Sequence, residues 1–66
     1  MNKLTNRNID GRLLTYDQTA QKSNLGIGTV IRLARESNSL IKIGRVARVD
    51  WDTFYNYVTT VYRGEQ

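Results

Sequence analysis

The chain has 66 residues, of which ten are Lys or Arg, six are Asp or Glu and none is Cys or His, for a formal net charge of +4. A domain of this size buries only about 60% of the surface its unfolded chain exposes, and without thiols or imidazoles it has neither a disulfide nor a zinc-type site to reinforce it. No apolar run exceeds two residues, which excludes a membrane span or signal-peptide core and leads us to expect one cytoplasmic domain built on a small hydrophobic core.

The charge is unevenly placed. Residues 1–49 carry nine bases and three acids, whereas residues 50–66 carry one base and three acids. A basic body asks for a polyanionic partner, although an excess of Lys and Arg also serves solubility in many small domains. Enzymatic parts are missing: there is no imidazole for general base work and no thiol nucleophile, so neither catalysis nor a cofactor is expected. Asp50 and Asp52 stand just before an amphipathic stretch, where acids answer free amides and the positive end of a helix. The Gly26-Ile27-Gly28 run lacks both the third glycine of a dinucleotide fingerprint and a preceding strand.

Residues 1–12 are polar, unpatterned and end near an Asp10-Gly11 turn signal, so they read as a flexible arm ahead of a domain spanning residues 13–66. Thr15-Tyr16-Asp17-Gln18 fits a capping box and starts a short helix at Tyr16. Thr19, Ala20 and Ser23 give that helix a small-residue side against which a second helix can pack closely. Asn24 to Gly26 breaks it. A second helix follows from about Ile27 to Ser37, with Val30, Leu33, Ala34 and Ser37 as the core stripe and Gly28, Ile31, Arg32 and Arg35 on the opposite side. Two guanidinium groups on one outward face fit a solvated helix surface, and after a short helix and a tight turn they also fit a recognition helix.

Beyond the polar break at residues 37–39, Leu40-Ile41-Lys42-Ile43 and Val46-Ala47-Arg48-Val49 flank Gly44-Arg45, the pattern of a hairpin closed by a type II′ turn. Pairing Ile43 with Val46 places Leu40, Lys42, Ala47 and Val49 on one face and Ile41, Ile43, Val46 and Arg48 on the other, and both are apolar enough to be buried. Lys42, Arg45 and Arg48 make the hairpin basic, either to hold a polyanion or to keep an edge strand from aggregating. Asp50 then caps a last helix with Trp51, Phe54, Tyr55, Val58 and Tyr62 on a predicted core face. Thr59, Thr60 and Val61 are weak helix formers that should loosen its end.

Capped helix, tight turn, second helix, basic hairpin and aromatic closing helix make an α+β winged helix-turn-helix. Within that order, Leu14-Thr15, Ala20, Leu25-Gly26, Val30-Ile31-Arg32-Leu33-Ala34, Ile41-Lys42-Ile43-Gly44-Arg45 and Phe54 resemble the small excisionases of conjugative transposons and related integrative elements, from about Leu13 to Val58. The resemblance implies a MerR-like helix-turn-helix and a recombination directionality factor, which binds and bends double-stranded DNA, in copies on adjacent sites, and assists a tyrosine-family integrase. It implies base reading by Ile27, Gly28, Thr29, Arg32 and Arg35, with Arg32 foremost through a bidentate contact to guanine, and phosphate contacts from Lys42, Arg45 and Arg48. Ile27 and Gly28 replace the polar or basic residues common in such proteins, and Gly28 instead suits close approach of a phosphate to the helix amides. Two other functions fit the same residues: a small winged-helix transcriptional regulator, and an adaptor that binds a protein through Ile31, Tyr57 and Tyr62.

Overall fold

The computed structural model describes residues 11–63. Its elements are β1 (Leu13–Leu14), α1 (Tyr16–Ser23), α2 (Ile27–Glu36), β2 (Leu40–Ile43), β3 (Val46–Asp50) and α3 (Trp51–Tyr62). This is an α+β winged helix-turn-helix with a C-terminal helix. Most of the arm expected at residues 1–12 lies outside the described residues. Its last member belongs to the fold: the Arg12 carbonyl accepts the Trp51 N–H, and its guanidinium pairs with Asp52. The acid expected to serve the helix end is thus also used to tie down the entering chain.

Local chemistry sets the helix ends. The Gln18 amide donates to the Thr15 hydroxyl and the Thr15 amide to the Gln18 side chain, each at 3.0 Å, so the reciprocal cap forms as its spacing requires. At the other end Asn24 takes the left-handed conformation, φ 62°, which asparagine tolerates better than most residues. Thr19 is fully buried, and its hydroxyl donates to the Thr15 carbonyl at 2.8 Å. A small polar side chain therefore lies in the core without a stranded donor.

Val30, Leu33 and Ala34 of α2 pack with Val49 and Phe54 as the centre of the core. The helix ends at Glu36, one residue short of the expected Ser37, which serves as its cap. Ser37 and buried Ser39 then share a 2.7 Å hydrogen bond, and Asn38 at φ 60° turns the chain into β2.

The sheet is antiparallel in the order β1-β3-β2. Ile43 pairs with Val46 as expected. Gly44 has φ +61° whereas Arg45 has no positive φ, which is the type II′ pattern and favours glycine at the first turn position. Val49 is buried and Leu40 packs on the core, so the face bearing Leu40, Lys42, Ala47 and Val49 meets the helices. The other turns outward, leaving Ile43 55% and Val46 42% exposed. Strand β1, only two residues long, was not anticipated; it sets Leu14 into the interior opposite Val49.

Helix α3 departs from expectation in three respects. Asp50 occupies the N-cap, but its carboxylate accepts the Thr53 hydroxyl at 2.8 Å instead of a backbone amide. The helix persists through Tyr62, with Thr59 donating back to the Tyr55 carbonyl at 2.8 Å. Its core face is centred on Phe54 and flanked by Trp51, Tyr57 and Val58, while Tyr55 and Tyr62 are 54% and 39% exposed. At about 100° per residue the aromatic stripe is wider than the core it meets, so the tyrosines on its far edge are left outside. No helix among the described residues is long and apolar enough to cross a membrane.

Candidate nucleic-acid interface

Helix α2 offers its N-terminus to solvent almost bare. Its N-cap is Gly26, which supplies no capping side chain, and its first turn holds no acid. Ile27 and Gly28 are exposed and Thr29 is half-buried. A Cβ built on Gly28 would have no neighbour within 4 Å, so nothing in the fold itself requires glycine there. Free amides at the positive end of a helix favour an anion, and the missing side chain leaves room for one to approach.

Farther along the outward face, Arg32 and Arg35 are both exposed but differ in their surroundings. The Arg32 guanidinium donates to Glu36 at 2.9 Å. Tyr62 first and then Glu36 raise its pKa above the ordinary arginine value. Glu36 is held from a second direction, where the Tyr57 hydroxyl donates to its other oxygen at 3.1 Å. Tyr57 is shifted above the usual tyrosine range by desolvation and then by its bond to Glu36.

The wing divides the remaining bases. Lys42 pairs with Ala47 in the register and so lies on the helix side of the sheet, beyond the part that the helices cover. Arg45 stands exposed in the turn. Arg48 alternates to the opposite face, half-buried, with its guanidinium donating to the Ala47 carbonyl at 2.9 Å. The three wing bases therefore do not form one cluster, because the two-residue period of a strand sends Lys42 and Arg48 to opposite sides.

Elsewhere Arg12 is paired with Asp52, and the Lys22 ammonium sits 4.8 Å from the centre of the Trp51 ring. Among the described residues, the side chains of Arg35, Lys42 and Arg45 have no ion-pair or hydrogen-bond partner. The uncommitted positive charge thus lies on the outward face of α2 and on the helix side and tip of the wing. A separate open cleft of about 250 Å³ lies between the end of α1 and α3, lined by Lys22, Trp51, Tyr55 and Val58 among others.

Residues 11–61 match a family described as a family of unknown function, DUF6462. The chain belongs to this family. No curated protein and no solved structure matches it. The DUF6462 match begins just before β1 and ends within the last turn of α3, so it takes in both the helix pair and the wing.

Of the residues expected to form the site in this DUF6462 chain, Ile27, Gly28, Arg32, Arg35, Lys42 and Arg45 are exposed, and Thr29 and Arg48 are half-buried. The partners of Arg32 were missed. Its pairing with Glu36 is signalled by the four-residue spacing on a helix, but Tyr57 reaches this group only through the packing of α3.

Proposed function

We propose that this protein is an architectural DNA-binding protein, an excisionase that binds and bends the ends of a mobile element in the cytoplasm and assists a tyrosine-family integrase in excision. In this reading α2 enters the major groove, with its free amides near a phosphate and Arg32 at a base edge. Lys42 and Arg45 hold the neighbouring backbone, and the protein itself carries out no chemistry. The observation that carries the proposal is the set of unpaired cations on the outward face of the second helix and on the adjoining wing. Bending a short duplex costs about 1–6 kcal/mol, which contacts formed on the curved DNA must offset. Several small basic domains bound side by side can supply them.

The test is a binding and bending measurement on duplexes from the ends of the element that carries the gene, using end-to-end fluorescence transfer at several salt concentrations, followed by excision with the neighbouring integrase. Site-selective binding, a shortened end-to-end distance and integrase-dependent excision support the proposal. Selective binding without bending or any effect on excision would favour the transcriptional regulator, which uses the same interface. The adaptor reading draws on Ile31, Tyr57 and Tyr62, of which the first two are half-buried and Tyr62 is exposed, beside more open apolar residues such as Ile43 and Tyr55; failure to bind any duplex would favour it.

A further inference from the structure

Arg32 projects from a face of α2 from which a side chain can read DNA, yet it is not free. Its guanidinium is fastened to Glu36 on the same helix, one turn on. Glu36 is in turn fixed by Tyr57, from α3, so that its two oxygens serve different partners. An arginine offers five donors in a rigid fork, and one anchor leaves others available. A carboxylate near a polyanion would ordinarily repel it. Here the charge of Glu36 is answered by Arg32, and a second oxygen is occupied by a tyrosine hydroxyl.

We propose that Glu36 and Tyr57 are positioning residues that hold Arg32 in a preset direction, and that α3 thereby tunes sequence discrimination by α2 without touching DNA. This rests on the DNA-binding reading above. A long side chain held in place loses less freedom when it meets a base than one that is loose. Its direction is also restricted, so a base displaced from that direction is disfavoured. Because the pair with Glu36 is nearly neutral, Arg32 adds little to the general attraction for phosphate. That task falls to Arg35, Lys42 and Arg45. Helix α3 therefore has two duties: Phe54 fastens it to the core, and its Tyr57 hydroxyl reaches over to Glu36.

The experiment compares full-length wild type with Tyr62→Phe, Tyr57→Phe, Glu36→Gln and Arg32→Ala. Each is titrated by fluorescence anisotropy against a selected duplex, single-base variants of it and an unrelated duplex. In the free proteins the Arg32 side-chain nitrogen resonances are followed by NMR. The expected result is that Arg32→Ala abolishes a preference at one base pair worth roughly five- to a hundredfold. Glu36→Gln should lose a large part of the same preference, Tyr57→Phe a smaller part and Tyr62→Phe little of it. For the Tyr→Phe variants affinity for the unrelated duplex and melting temperature should stay near wild type; Glu36→Gln, which leaves Arg32 unneutralised, should bind the unrelated duplex somewhat more tightly, and in Glu36→Gln and Tyr57→Phe the Arg32 resonances should move toward those of an unrestrained arginine.

If Arg32→Ala removes the preference while the Tyr57 and Glu36 variants retain it, the positioning role is overturned and DNA binding stands. Equal weakening on every duplex would assign these residues a structural role and likewise overturn the proposal. A preference untouched by Arg32→Ala overturns the choice of Arg32. Wild-type protein that binds no duplex overturns the DNA-binding reading and this inference with it. Since Tyr→Phe and Glu→Gln keep the size of each side chain, a folding defect would appear as a lower melting temperature. Unaltered arginine resonances in a folded Glu36→Gln or Tyr57→Phe variant would then refute the anchoring directly.

Discussion

If the uncommitted cations form the phosphate-binding surface, neutralising them should change the salt dependence of DNA binding in a way that depends on position and not on net charge alone. Arg35, Lys42 and Arg45 lie exposed on α2 and the wing, without partners among the described residues. Each phosphate neutralised contributes about 0.9 to the slope of log affinity against log salt. Three such contacts account for a slope of about 2.7, or roughly a fortyfold loss of affinity for a fourfold rise in salt. Replacing all three with Gln should lower the slope by about that amount, and each single replacement by about one unit. Arg48 is the control: its guanidinium is directed to the Ala47 carbonyl on the opposite sheet face, so Arg48→Gln removes the same formal charge with much less effect. Anisotropy titrations of one duplex at four or more salt concentrations measure these slopes. An Arg48→Gln decrease equal to that of Lys42→Gln or Arg45→Gln would refute the positional argument and leave only a nonspecific effect of charge.

Further outcomes concern the core, the start of α2 and the buttress of Glu36. Phe54 is buried whereas Trp51 is half-exposed, so Phe54→Ala should cost about 3–5 kcal/mol, enough to unfold much of so small a domain. Trp51→Ala should cost clearly less, and thermal melting by circular dichroism ranks the two. Gly28→Ala meets open space in the fold and should leave stability unchanged or raise it by up to about 1 kcal/mol. The added methyl should nevertheless weaken DNA binding, and melting with anisotropy on the same sample separates these effects. Tyr57 is raised above the ordinary tyrosine value by desolvation and by Glu36. Its contribution to stability should therefore be complete below the unfolded-state value and be lost as pH rises through the higher folded value. Denaturation of wild type and Tyr57→Phe across the alkaline range should show the two converging at the top.

Features written in short-range chemistry were legible in the sequence. Thr15 and Gln18 state the cap of α1 by their spacing, Asn24 its stop, and Gly44-Arg45 the turn; the core stripe Val30, Leu33 and Ala34 follows from the helical period. The buried side of the hairpin was not legible. Leu40 and Val49 compete with Ile41, Ile43 and Val46, and the two-residue period gives no preference until the helices cover one face. Strand β1 was missed because two residues carry no period, and its existence depends on pairing with Val49 and Asp50 far along the chain. In α3 the aromatic residues outnumber the places available against the core, so sequence marked the stripe while packing selected Phe54 from it. The candidate site divides in the same way. Exposed bases on α2 and the wing follow from local pattern, and so does the separation of Arg48 from Lys42 once Ile43 is paired with Val46, whereas the hold of Tyr57 on Glu36 depends on how α3 packs.

The most direct test is a two-dimensional NMR titration of the labelled full chain with a selected duplex. The account predicts that the amides of Ile27, Gly28 and Thr29, the side chains of Arg32 and Arg35, and the wing from Lys42 to Arg45 shift together and saturably, while Tyr55 and Val58 beside the separate cleft remain still. Shifts centred on that cleft, or on the outward sheet face around Ile43 and Arg48 with α2 unmoved, would contradict it.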